Sequence, residues 1–150
     1  MEGTRFDSII NFAIQREKEA VQFYKDLQDQ VKFLQRKEFL KSLEEMEKGH
    51  VTILENLKKK EIDEIKVSEV KNLKINDYLV ESAPTETLSY QDILIIGMKK
   101  EQTAYELYTT LAEESSLPDI KKVFQKLASE EAKHKLFFET IYDEDILKEN

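Results

Sequence analysis

The sequence predicts an all-α protein, a four-helix bundle in one domain. Its 150 residues include only three Gly and two Pro, while 36% are charged and 40% are apolar. So little turn-forming sequence, with so many Glu, Lys and Leu, favours long amphipathic helices over many short strands. A chain of this length is sufficient for one domain with one hydrophobic core.

Four segments carry apolar residues at helical spacing, which predicts helices at roughly 5–31, 35–59, 89–114 and 118–143. Each apolar stripe should face the interior of the bundle. The stripe of the second segment consists of Phe39, Leu43, Met46, His50, Ile53 and Leu57.

Start and stop signals support these segments. Thr4 with Asp7, and Ser89 with Asp92, fit a capping box in which Asp stands in place of Glu. Pro118 is a favourable residue for the first turn of the fourth helix.

The stretch at roughly 60–88 separates the second helix from the third and is only weakly periodic. A linker between two domains is the alternative, but neither half is long enough for its own core. A helix of 25 residues is about 38 Å long, and a dozen extended residues span that distance. We therefore predict a long crossover that joins two helical hairpins within one domain, 1–150.

Composition excludes several kinds of function. The chain has no Cys, which excludes disulfides, iron–sulfur clusters and a catalytic thiol, and leaves nitrogen and oxygen ligands for a metal. A net charge of −8 disfavours nucleic acid and anionic membranes as partners. No signal peptide and no apolar stretch of about 20 residues is visible, so a cytoplasmic location without membrane contact is expected.

The two halves of the chain repeat one pattern of Glu, Ala, Tyr and His. The residues of the second half follow those of the first by 84 positions (101 − 17 = 84 and 134 − 50 = 84). The first set is Glu17, Ala20, Tyr24, Glu47 and His50, and the second is Glu101, Ala104, Tyr108, Glu131 and His134.

The repeated acids predict a metal site. They lie in or beside apolar stripes, and a buried carboxylate without a partner is too costly to maintain. Glu and His at i and i+3 project from the same helix face, so each such pair can chelate one ion. Carboxylate and imidazole ligands without sulfur suit iron or manganese, and zinc less specifically. Buried Glu–His ion pairs without a metal remain the alternative. The six candidate ligands are Glu17, Glu47, His50, Glu101, Glu131 and His134.

Two repeated tyrosines, Tyr24 and Tyr108, have two possible roles. Each is either a core aromatic residue whose hydroxyl reaches a polar partner, or a hydrogen-bond donor to a ligand carboxylate. Three other acids, Glu44, Glu45 and Glu130, are expected on the solvated face. Glu130 precedes His134 by four residues and would be the ligand if the helix register differed.

This combination resembles the ferritin-like diiron-carboxylate superfamily, and most of all its rubrerythrin branch. The resemblance rests on the run from Glu17 to Tyr24, its repeat from Glu101 to Tyr108, and the two Glu-x-x-His pairs. It implies a non-haem site for two iron ions, with Mn or Zn as alternatives. Glu17 and Glu101 would then be terminal or chelating ligands, one to each metal. Glu47 and Glu131 would bridge the metals, and His50 and His134 would each bind one.

Two departures from rubrerythrins are visible. The absence of Cys means that no rubredoxin-type domain is present in this sequence, so electrons would come from an external donor protein. Ala104 stands where rubrerythrins have a further Glu.

The function that the resemblance implies is an oxidoreductase that reduces peroxide or dioxygen, as in oxidative-stress defence. The alternatives are an iron-binding, storage or delivery protein, and a helical interaction bundle without redox activity. A homodimer is compatible with this architecture.

Overall fold

The described residues of the computed structural model, 2–59 and 89–147, contain four α-helices and no strand. Helix α1 spans Glu2–Gln28, α2 spans Leu34–Lys59, α3 spans Tyr90–Glu114 and α4 spans Pro118–Tyr142, followed by a π-helical turn at Asp143–Leu147. Helix α1 packs against α2 and α3 against α4, as two hairpins. This confirms the predicted four-helix bundle; the predicted crossover at 60–88 lies outside the described residues.

The helix ends agree with the sequence signals in all but one case. The Ser89 side chain accepts a hydrogen bond of 3.1 Å from the backbone N–H of Asp92, and Pro118 begins α4. The prediction of a cap at Thr4 was wrong, because α1 begins at Glu2 and Thr4 lies inside the helix.

The apolar core has two halves, one toward each end of the bundle. One half contains Ile10 of α1, Leu54 of α2 and Phe124 of α4. The other contains Leu43 of α2 and Phe138 of α4. The repeated Glu and His residues lie between these two halves, near the middle of each helix.

The buried face of α2 is rotated from the predicted one. Phe39 and Met46 are exposed to 43% and 39%, whereas Leu40 and Glu47 are fully buried. The predicted stripe therefore began one residue too early at Phe39 and placed Glu47 at its edge. In the bundle Glu47 lies at its centre.

Close packing between α3 and α4 depends on Gly97. A Cβ atom at this position would lie 2.9 Å from the ring of Phe138. That distance is below van der Waals contact, so glycine permits α4 to approach α3 closely here. Phe138 is fully buried and stacks on Tyr24 with ring centroids 5.7 Å apart.

The turn after α4 is tied to the starts of α2 and α3. Arg36 forms ion pairs of 2.6 Å with Glu144 and 3.2 Å with Asp145, and the Tyr90 hydroxyl donates to Asp145 over 2.7 Å. These contacts hold one end of the bundle together. None of the helices in the described ranges has the length and apolar character that a membrane crossing requires.

Candidate metal centre

The bundle brings all six predicted metal ligands together at mid-length. Every one is almost completely buried, with at most 2% of the residue exposed. Helices α1 and α3 contribute one carboxylate each, while α2 and α4 each contribute a carboxylate and an imidazole one turn apart. The six residues are Glu17, Glu47, His50, Glu101, Glu131 and His134.

These residues form two overlapping groups that could each hold an ion. Within each group, one oxygen or nitrogen atom from every residue lies within 4.8 Å of the others. Glu47 and Glu131 belong to both groups, so each could contact an ion in either group. We define position A by Glu17, Glu47, His50 and Glu131, and position B by Glu47, Glu101, Glu131 and His134.

In position A, the imidazole of His50 directs its Nδ1 atom into the cluster. This nitrogen lies 2.8 Å from Glu17 Oε2, 3.0 Å from Glu131 Oε1 and 3.3 Å from Glu47 Oε1. Oxygens of three carboxylates therefore converge on this one imidazole nitrogen.

Position B repeats this arrangement with the other imidazole. His134 Nδ1 lies 3.3 Å from Glu47 Oε1, 3.4 Å from Glu101 Oε2 and 3.9 Å from Glu131 Oε1. The two imidazole rings are nearly parallel, at 12°, with centroids 6.3 Å apart. The sequence duplication thus appears in space as two similar positions side by side.

Both repeated tyrosines contact the carboxylate of the opposite hairpin. The Tyr24 hydroxyl donates a hydrogen bond to Glu101 Oε1, and the Tyr108 hydroxyl is hydrogen-bonded to Glu17. Burial raises the pKa of each tyrosine well above its usual value, and the nearby carboxylates add to this effect. Both hydroxyls therefore keep their protons and act as donors.

Burial and crowding strongly shift the pKa values of the cluster. Burial, followed by the charge of Glu47, raises the pKa of Glu17 to about 8. Burial alone would also raise the pKa of Glu47, but contact with His134 and His50 outweighs it and lowers this pKa to about 2.

Burial has the opposite effect on the imidazoles, and it is again outweighed. Burial favours neutral His50 and His134, yet contact with carboxylates raises their pKa values to about 11 and about 9. The cluster thus holds protons that a metal ion would displace on binding.

The side chains fit a pair of divalent cations. Both oxygens of Glu47, one oxygen each of Glu101 and Glu131, and both ring nitrogens of His134 are buried and make no well-formed hydrogen bond among the described residues. Several of them have only ion-pair contacts within the cluster, of 3.0 to 3.4 Å. Such atoms are costly unless something satisfies them. Four ionised carboxylates also balance the charge of two divalent ions, with neutral imidazoles completing the donor set.

Comparison with protein families agrees with this geometry. The family model described as rubrerythrin matches residues 8–142. The chain belongs to the rubrerythrin family. Comparisons with curated proteins and with solved structures gave no match.

A small cavity lies beside the cluster in this rubrerythrin-family chain. Its volume is about 40 Å³, and its lining includes Ala20 and Ala104, the repeated alanines of α1 and α3. A longer side chain at Ala104, such as the Glu expected from other rubrerythrins, would extend into this space. The partly exposed cations Arg16 and Lys100 also line it.

Two of the acids expected on the solvated face are not there. Glu44 is only 9% exposed and accepts a hydrogen bond of 2.8 Å from Gln28. Glu130 is partly buried and lies 2.9 Å from His50 Nε2, on the ring edge opposite the cluster. It therefore contacts a candidate ligand rather than replacing Glu131. Its position four residues before His134 was the sequence signal for Glu130, and its partner across the bundle, His50, was not visible in the sequence.

Proposed function

We propose that this protein binds two iron ions at positions A and B and uses them to reduce hydrogen peroxide or dioxygen. The observation that carries the proposal is the pair of overlapping ligand groups that share Glu47 and Glu131. Membership of the rubrerythrin family supports iron over manganese or zinc. When bound, two ferrous ions supply the two electrons that, with two protons, convert one hydrogen peroxide into two waters.

The protein's own part in this chemistry is to hold and orient the ligands. Glu17 and Glu101 would each bind one metal, His50 and His134 would cap the two positions, and the tyrosine hydroxyls fix the two terminal carboxylates. Because the apolar halves of the core enclose the cluster, bulk water is excluded and charged contacts gain strength.

The size of the cavity supports a small oxidant. A water molecule needs about 10–15 Å³ measured in this way, so about 40 Å³ accommodates only a few atoms beside the carboxylates. Molecules of the size of peroxide and dioxygen fit this space. Lys100, Arg16 and Glu19 line the cavity beside the cluster, and Arg16 forms an ion pair with Glu19.

Electrons for repeated turnover would come from a separate donor. The sequence contains no Cys and therefore no rubredoxin-type iron centre. A reduced carrier protein or an artificial reductant would return both irons to the ferrous state after each reaction.

The proposal is tested by anaerobic titration with Fe(II), followed by rapid mixing with hydrogen peroxide while iron oxidation is recorded in the near ultraviolet. We expect saturation at two irons per chain and oxidation much faster than that of free Fe(II). Glu47→Gln should abolish both, whereas Glu45→Gln, which changes an exposed neighbour, should preserve them.

Two outcomes would contradict parts of the proposal. Two bound irons that react with peroxide no faster than free Fe(II) would remove the redox function and favour iron binding or delivery. Unchanged iron binding in Glu47→Gln would show that the metal does not lie at this cluster.

A further inference from the structure

The two halves of the metal centre differ on the outer side of the imidazoles. His50 Nε2 lies 2.9 Å from Glu130 Oε1, so position A is supported by a further carboxylate. His134 Nε2 has no hydrogen-bond partner among the described residues. The six candidate ligands repeat between the two halves of the chain, but the residues that contact the outer side of the two imidazoles do not.

The sequence duplication explains this difference. Subtracting 84 from 130 gives 46, so the residue equivalent to Glu130 in the first hairpin is Met46. A thioether is a weak acceptor, whereas a carboxylate accepts a charge-assisted hydrogen bond from an imidazole N–H. Met46 is also 39% exposed. The chain therefore has one carboxylate–imidazole pair behind the cluster instead of two.

Such a pair affects the metal through the imidazole. A carboxylate that accepts from Nε2–H keeps the proton on that nitrogen and leaves the Nδ1 lone pair for the metal. It also fixes the orientation of the ring and makes the imidazole a stronger ligand. Loss of such a partner typically lowers metal affinity by about 10- to 100-fold.

We propose that Glu130 is a positioning residue that makes the two metal positions unequal, so that position A, capped by His50, fills before position B. The inference rests on the proposed metal centre but concerns the order of filling, which the shared ligands do not determine. Glu130 acts through its contact with the His50 ring; its side chain remains about 20% exposed, so replacing it does not open the core.

The chain permits a site-resolved test, because it contains only two His, one at each position. Protein labelled with ¹⁵N at histidine is titrated with Zn(II), a diamagnetic probe, and the ring nitrogens are followed by NMR. In His134→Gln only the His50 signals remain, so this variant assigns the NMR signals to the two rings. Calorimetry of the same titration gives the two affinities, and neither readout depends on enzymatic activity.

In the natural protein, we expect the His50 ring to reach its metal-bound state first, with a protected Nε2 proton. In Glu130→Ala, the affinity of position A should fall about 10- to 100-fold while that of position B changes little, and the filling order should be lost or reversed. Glu130→Gln retains an uncharged hydrogen-bond acceptor. Its affinity at position A should lie between those of the natural protein and of Glu130→Ala. Glu139→Gln, an exposed acid on the same helix, should behave like the natural protein.

This inference would be overturned if both positions filled simultaneously in the natural protein, or if the filling order were unchanged in Glu130→Ala. Neither result would contradict the proposed metal centre. Absence of Zn(II) binding at both rings would instead refute the metal centre, and the inference with it. Circular dichroism of each variant verifies that the helices have formed.

Discussion

Tyr24, on the first helical hairpin, donates its hydroxyl hydrogen bond to Glu101, on the second. Tyr108 is hydrogen-bonded to Glu17 in the reverse direction, so the two hairpins exchange one buried hydrogen bond each. Direct backbone packing between α1 and α3 is limited, and most packing lies within each hairpin. The crossed tyrosines thus couple the hairpins at the level of the candidate metal centre.

This crossing predicts reciprocal effects of removing the hydroxyls. Tyr24→Phe should weaken metal binding at position B, which contains Glu101, and Tyr108→Phe should weaken binding at position A, which contains Glu17. We expect losses of roughly 10-fold, since each hydroxyl orients a ligand carboxylate. Zn(II) titration followed at the two imidazole rings distinguishes the positions. Tyr105→Phe, at an exposed tyrosine of α3, is the control. Equal losses at both positions in each variant would contradict the crossed arrangement.

Gly49 of α2 and Gly97 of α3 should respond oppositely to substitution by alanine. Gly97→Ala places a methyl group 2.9 Å from the Phe138 ring, and overpacking of this kind costs about 1–3 kcal/mol. Gly49→Ala meets no atom within 4 Å and should gain about 0.5–1 kcal/mol from helix propensity. Urea denaturation of the two variants measures whether the free energy of unfolding falls in Gly97→Ala and rises in Gly49→Ala. Equal stabilities would show that α3 and α4 are not closely packed at Gly97.

The stability of the metal-free protein should fall as the pH rises from about 5 to about 9. The pKa of Glu17 is raised from 4.5 to about 8, and those of His50 and His134 are raised from 6.5 to about 11 and about 9. In this pH window the folded state therefore holds more protons than the unfolded state, and the free energy of unfolding decreases with pH. The pKa of Glu47 is lowered from 4.5 to about 2. Its carboxylate therefore stabilises the folded state fully above pH 4.5, and this stabilisation is lost as the pH falls from 4.5 toward 2.

Metal ions should reverse this trend, because they replace the protons held by the cluster. Thermal denaturation at pH 5.5 and 8.5, with and without Zn(II), gives the comparison. The metal-free melting temperature should be lower at pH 8.5, by roughly 2–4 °C for each kcal/mol lost, and the gain on adding Zn(II) should be larger there. In Glu17→Gln, the metal-free pH dependence should be weaker. A metal-free protein that is more stable at pH 8.5 would refute the charge assignment of the cluster.

The repeated residues made much of this arrangement predictable from the sequence. Helix type and approximate ends follow from apolar periodicity, and the position of each Glu–His pair follows from helix geometry. The duplication indicated that Glu17 and Glu101 belong with those pairs. The structure brings these residues into contact, while their metal ligation stays a proposal.

Other features depend on packing that no single helix reveals. The rotation of α2 was misjudged because Phe39 and Met46 are apolar yet exposed, and periodicity counts any apolar residue as buried. The contact between Glu130 and His50 joins residues 80 positions apart on different hairpins. Its existence follows from how the hairpins meet, which the sequence pattern does not specify.

The most direct test of the metal centre is an anomalous-scattering map from crystals of the protein grown with iron. We expect two peaks about 3.5–4 Å apart at the centre of the bundle. One peak should lie next to His50 and the other next to His134, with Glu47 and Glu131 between them. A single peak, peaks elsewhere, or an iron-free cluster with direct Glu–His ion pairs would contradict it.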